Sequence, residues 1–134
     1  MRKDIEIPGK AQGVHIAAVR QPNPEYKLEE WNAYIINEQD ETLDLVLIVS
    51  KGEKDGTKSS TMRHKLEKLP PKSFAKVEFI EDKLLALDNT FSVTFFLDGK
   101  LFEQEFIFPA STLKEENRNE IPLMPETGIL AKMT

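Results

Sequence analysis

The densest run of chemically capable side chains lies between residues 51 and 76. Eight basic groups stand there against three acids, a local +5 in a chain of net charge −5, which leaves −10 for the remainder. Lys51, Lys54, Lys58, Arg63 and Lys65 form its centre. Cations clustered this way can attract an acidic protein, a polyphosphate or an RNA backbone. No aromatic residue lies between 51 and 73 to stack on a base. Nucleic-acid contact would therefore be made to phosphates, without sequence preference and with strong salt dependence. The acidic balance of the whole chain favours a plainer role, in which these lysines offset acids elsewhere and keep a loop hydrated.

Other constellations fall short of a motif. Gly52, Gly56, Lys58 and Ser59 approach the phosphate-binding loop, but three residues separate the glycines where the motif has four, and Thr57 precedes Lys58. The motif also needs a following helix whose N-terminus faces the phosphate. Glu38, Asp40, Glu41 and Asp44 could gather oxygens around Ca²⁺, yet they lack the central glycine and closing glutamate of a calcium loop. His15 and His64 are the only histidines, so zinc would need carboxylates as well. His64 sits between Arg63 and Lys65, a setting that does not tune it as a base. No serine occupies a Gly-x-Ser-x-Gly elbow. Glu103 and Glu105, alternate residues of one strand, stand about 7 Å apart, a glycosidase-like separation, although such pairs on a wet face ordinarily serve solubility. Without cysteine there is no thiolate nucleophile, disulfide or Cys-metal site. The reading that follows is a non-catalytic binding or protein-interaction module that uses no cofactor and meets a protein partner or a second copy of itself. The alternatives are an anion or RNA-backbone binder using residues 51–76, and a small carboxylate-dependent hydrolase.

The element that must organise all of this is Thr90–Phe108, TFSVTFFLDGKLFEQEFIF. Asp98-Gly99 suits a two-residue type I′ turn. Folding there sets Leu97 opposite Lys100, Phe95 opposite Phe102, Val93 opposite Gln104 and Phe91 opposite Phe106. Phe91, Val93, Phe95, Leu97, Phe102, Phe106 and Phe108 then share a buried face; Ser92, Thr94, Glu103 and Glu105 share the wet one.

Before it come Gly13–Arg20 as a first strand, broken by Gln21-Pro22-Asn23-Pro24, and Glu30–Asn37, apolar on both faces and so central. Leu43–Ser50 is expected to form a hairpin with the latter across Asn37–Thr42. Lys51–Ser60 reads as a mobile loop. Thr61–Leu69 fits helix or strand, and strand is chosen because Pro70-Pro71 and the neighbours favour it. Ser73–Ile80 alternates Ala75-Val77-Phe79 with Phe74-Lys76-Glu78, a strand. Glu81–Asn89 holds one helical turn, and Ser111–Asn119 a short helix opened by Ser111. The tail Ile121–Met133 is too apolar for free disorder and should dock on the domain or on a second copy.

Seven short strands joined by turns predict an all-β fold, an antiparallel β-sandwich of immunoglobulin-like strand count and spacing, with a curled barrel as the alternative. At 134 residues a single domain is expected, with residues 1–12 and 109–134 as extensions. The longest apolar run, Leu45–Val49, is far short of a membrane span. The N-terminus shows no apolar signal region, which leads one to expect a cytoplasmic protein. The order EWNAYIIN, LDLVLIVSKG, STMRHKLEKLPPKSFAKVEFI and FLDGKLFEQEFIF resembles, over most of the chain, a family of short bacterial proteins without established activity. Some of its members carry the name of a phenylalanyl-tRNA synthetase subunit. A synthetase catalytic domain needs several hundred residues and a large mixed sheet. The resemblance implies a compact β domain and supplies no functional residues.

Overall fold

The structure, a computed structural model, describes residues 11–134; the expected extension at 1–12 falls outside them up to residue 10. The chain runs through β1 (Val14–Pro22), β2 (Glu29–Asn37), β3 (Leu43–Lys54), β4 (Thr57–Lys58), β5 (Met62–Leu69), β6 (Ser73–Ile80), β7 (Asp88–Leu97), β8 (Lys100–Phe108), β9 (Asn119–Glu120), β10 (Thr127–Leu130) and β11 (Lys132–Met133). These form two antiparallel sheets packed as a sandwich. One has the order β6-β2-β1-β10-β9; the other runs β11-β8-β7-β3, with β5 and β4 in line beyond β3.

The β7–β8 hairpin has the register its sequence dictates. Phe91 pairs with Phe106, Phe95 with Phe102 and Leu97 with Lys100. Asp98 and Gly99 take φ of 51° and 73° at the tip, as a type I′ turn requires. Phe91, Val93, Phe95, Leu97, Phe106 and Phe108 are buried against Val14, Ile16, Ala18, Trp31, Ala33 and Ile35 of the facing sheet. Phe102 is partly buried and stacks on Phe95 at 5.5 Å. Gln104 is the polar exception among these inward residues, donating from Nε2 to the carbonyl of Ala11 at 3.0 Å.

Several expectations need correction. β2 and β3 do not form a hairpin: β2 pairs with β1 and β6, while β3 pairs with β5 and β7 in the other sheet. Residues 38–42 are thus a corner between layers. Buried Asn37 braces it, its Nδ2 lying 2.9, 3.1 and 3.0 Å from the carbonyls of Glu41, Leu69 and Pro70. Lys51–Ser60 is not a plain loop. β3 continues to Lys54 and returns as β4 through Asp55-Gly56, at φ of 51° and 85°. This is the same Asp-Gly turn chemistry that closes β7–β8. β1 continues to Pro22, past its last pair with β10 at Val19, where a residue without an N–H is accommodated. The helix expected at Ser111–Asn119 is a single 3₁₀ turn, Glu115–Asn117, which follows Lys114 without a side-chain cap. The turn expected in Glu81–Asn89 is present as a 3₁₀ turn at Asp82–Leu84.

The tail supplies strands to both sheets. β10 pairs with β1 and β11 with β8. Ile121 and Met124 cover Ala17, Val19 and Ile36 on the outer face of the first sheet, making a second, smaller core. No helix among the described residues is long and apolar enough to cross a membrane.

Candidate functional site

The site begins with an irregularity in β6. Ala33 pairs with Glu78 but Tyr34 pairs with Lys76, so Val77 is an extra, bulged residue. The bulge reverses the alternation beyond it. Phe79 is exposed, whereas Ile80 is buried and the side chain of Glu78, at 10% exposure, points between the sheets. There its Oε1 accepts from Ser50 Oγ on β3 at 2.7 Å and from His64 Nε2 on β5 at 2.7 Å. A carboxylate from one sheet thus takes two donors from the other and clasps the open edge between β5 and β6.

Beside this clasp lies a cleft of about 430 Å³, within the range of small-molecule sites. The β3–β4 ribbon and the segment to Met62 form one wall, with Lys51, Gly52, Thr57, Lys58, Ser59 and Ser60. Phe79, Glu81, Lys83, Leu84 and Leu87 form the other, and Ser50, Glu78 and Asn89 also line the cleft. The two walls are fitted to each other. Asn89 Nδ2 holds the 3₁₀ turn through the carbonyls of Leu84 and Leu87, at 2.8 and 3.1 Å. A Cβ on Gly52 would lie 3.1 Å from both Asn89 Oδ1 and Leu87 Cδ1, so glycine lets the ribbon approach that turn.

Three lysines, Lys51, Lys58 and Lys83, are among the residues that border the cleft. Lys58 is 3.7 Å from Glu53 and Lys83 is 3.3 Å from Glu81. Lys51 has no ion-pair partner among the described residues. The near-motif Gly52-to-Ser59 does form part of the wall, but as a ribbon closed on itself. The Gly52 N–H donates to Ser59 Oγ at 2.7 Å and the Ser59 N–H to the Gly52 carbonyl at 2.8 Å. The strand–loop–helix geometry of a phosphate-binding loop is absent there.

The five cations read from sequence do not converge. Lys51 and Lys58 line the cleft. Lys54 borders a shallower depression with Lys51, Glu53, Asp55 and Asp88. Arg63 and Lys65 lie on the outer face of β5, paired with Val49 and Leu47. The expected acids are spread as well. Glu38 meets His15 Nε2 at 2.9 Å, Asp40 meets Lys72 at 3.4 Å, and Asp44 meets Lys68 at 3.1 Å. Among the described residues no group of three His, Asp or Glu side chains could hold a metal ion. Glu103 and Glu105 are exposed on the outer face and do not line the cleft. His64, expected between two cations, turns inward to a carboxylate, while Arg63 and Lys65 turn outward.

Ser50, His64 and Glu78 are the residues of a hydrolytic triad by type but not by connection. Both donors end on one carboxylate oxygen, and the serine is not bonded to the imidazole. The two hydrogen bonds fasten β3 and β5 of one sheet to β6 of the other. Sequence reasoning missed Glu78 and Ser50, and the one available signal was the adjacent Phe79-Ile80, which breaks a period of two. Comparison with protein-family models, with curated proteins and with solved structures gave no match.

Proposed function

We propose that the chain is a non-catalytic binding module whose cleft between the β3–β4 ribbon and the end of β6 takes a small ligand bearing an acidic group. The observation that carries this is a cleft bordered by three lysines, Lys51, Lys58 and Lys83, of which Lys51, at the rim, has no acidic partner among the described residues. Met62, Phe79, Leu84 and Leu87 add an apolar wall for the rest of the ligand, and Thr57 and Ser60 add hydroxyls. Glu78 stands at the inner end with its Oε1 engaged, and it disfavours ligands that would carry their charge deeper. Ligand pockets combine apolar lining with few polar groups in this manner.

Thermal melts and calorimetric titrations with pyrophosphate, citrate and inorganic phosphate, at fixed ionic strength, test the reading. The wild type should be stabilised, with an affinity that falls as salt rises. Lys51→Glu should weaken binding roughly tenfold or more, as expected when an attractive charge at contact is reversed. Absence of stabilisation by all three probes, or equal binding by Lys51→Glu, would refute it.

A further inference from the structure

The two sheets differ in how their outer faces are treated. Ile121 and Met124 cover part of one; no described segment covers the other, where β3 and β7 run between β5 and β8. The side chains on that uncovered face are ordered in rows. Arg63 lies beside Val49, Val49 beside Ser92, and Ser92 beside Glu105. In the next row Lys65 lies beside Leu47, Leu47 beside Thr94, and Thr94 beside Glu103. One margin is positive and the other negative, about 14 Å apart at three strand spacings. None of these four charged groups has an ion-pair partner among the described residues. Between the margins, Leu47 is 42% exposed, and Leu45 is 54% exposed at a bulge with φ of 48°. A left-handed backbone at a large apolar residue carries a conformational cost, and here it turns that residue toward solvent.

We propose that this face is a homodimer interface, occupied by the same face of a second copy about a two-fold axis parallel to the strands, between β3 and β7. Such an axis reverses the order of the strands and keeps the rows level. Arg63 then meets Glu105 of the partner subunit and Lys65 meets Glu103 of the partner subunit, and symmetry repeats both pairs on the other side. The leucines of β3 lie against the partner's β7, removing the exposed apolar stripe from water. A two-fold axis across the strands would instead set β5 against β5, with like charges opposed. A polyanion is the poorer occupant, because Glu103 and Glu105 share the face and leucines stand where phosphates would lie. The proposal does not depend on the reading of the cleft.

The charge pattern makes a complementation test. Sedimentation equilibrium of the full chain over a concentration series should show a monomer–dimer equilibrium, with a dissociation constant that rises with salt. Arg63→Glu/Lys65→Glu carries two acidic margins and should raise that constant roughly 30-fold, since four surface pairs become repulsive. Glu103→Lys/Glu105→Lys carries two basic margins and should do the same. Mixed in equal amounts, the two variants should form a one-to-one heterodimer of near wild-type affinity, which a misfolded variant cannot do. The variant with all four substitutions should again dimerise with itself. Monomeric wild type up to millimolar concentration would overturn the interface. Reversals that leave the dimer intact would place it on another face, and failure of the mixed variants to associate would exclude this axis.

Discussion

Glu78→Ala separates a clasp that stabilises from one that is merely present. The carboxylate accepts two short hydrogen bonds from a sheet that is not its own, one from buried Ser50 and one from His64, whose side chain is 26% exposed. Bonds to a charged group are worth about 1.5–3 kcal/mol each. His64 can regain water from the cleft once its partner is gone, while Ser50 regains less. Truncation also relieves the desolvation of a nearly buried carboxylate. Setting these against each other gives a loss of about 3 kcal/mol, or about 10 °C in Tm for a chain of this size. Glu78→Gln keeps one acceptor oxygen without the charge and should cost about 1–2 kcal/mol. Urea and thermal melts read both, and a cycle with His64→Ala should show coupling of about 1 kcal/mol or more. Binding should move the opposite way: with the negative charge gone, Glu78→Gln should hold pyrophosphate more tightly than wild type. A loss under about 0.5 kcal/mol for Glu78→Ala, or additivity in the cycle, would refute the reasoning.

Two further perturbations test the frame around the site. Phe95→Ala removes a fully buried ring that also stacks on Phe102 and should cost roughly 3–5 kcal/mol in a denaturant melt. Phe96→Ala, half-buried on the outer face, should cost under about 1.5 kcal/mol, and equal losses would contradict burial of one face. Gly128 pairs with Val19, and a Cβ there would lie 2.6 Å from the Ala18 carbonyl oxygen. Gly128→Ala should force β10 away from β1 and cost roughly 2–3 kcal/mol, with faster amide exchange along β10; an unchanged melt would mean that the tail strand contributes little.

What the sequence reveals and conceals follows from the range of the interactions. The β7–β8 hairpin is legible because its turn, its period of two and its register are set within 19 residues, and each agrees with the others. β1, β2, β3 and β6 are legible from their own apolar patterns and β5 only with help from its neighbours, whereas β4 lies in a stretch that reads as loop. The partners of these strands are not legible. Residues 38–42 are as compatible with a hairpin as with a corner, and the decision rests on Asn37 reaching the carbonyls of Leu69 and Pro70, more than 30 residues away. The tail reads as too apolar to be free, but its division between two sheets depends on pairings with β1 and β8 that no local pattern encodes.

The cleft was illegible for a narrower reason, the single extra residue in β6. Strict alternation assigns Glu78 to one face with Lys76 and Phe74, and Phe79 to the other with Val77. The bulge at Val77 exchanges the assignments beyond it. That exchange aims a carboxylate inward, opposite Ser50 and His64, and leaves Phe79 lining the cleft with Met62 and Leu87. Bulges re-aim side chains in this way at sheet edges, and β6 is the edge strand of its sheet. The same feature blunts that edge against strand addition, while at the opposite sheet's margin β5 presents Arg63, Lys65, Glu67 and Lys68. The other two edges are formed by the short tail strands β9 and β11. The basic run is spread rather than gathered: Lys51 and Lys58 border the cleft, with Lys51 two residues beyond outward-facing Val49, while Arg63 and Lys65 lie on the face whose other margin is Glu103 and Glu105. A positive stretch that looks like one patch in sequence is divided in space, because alternate residues of a strand meet different surroundings.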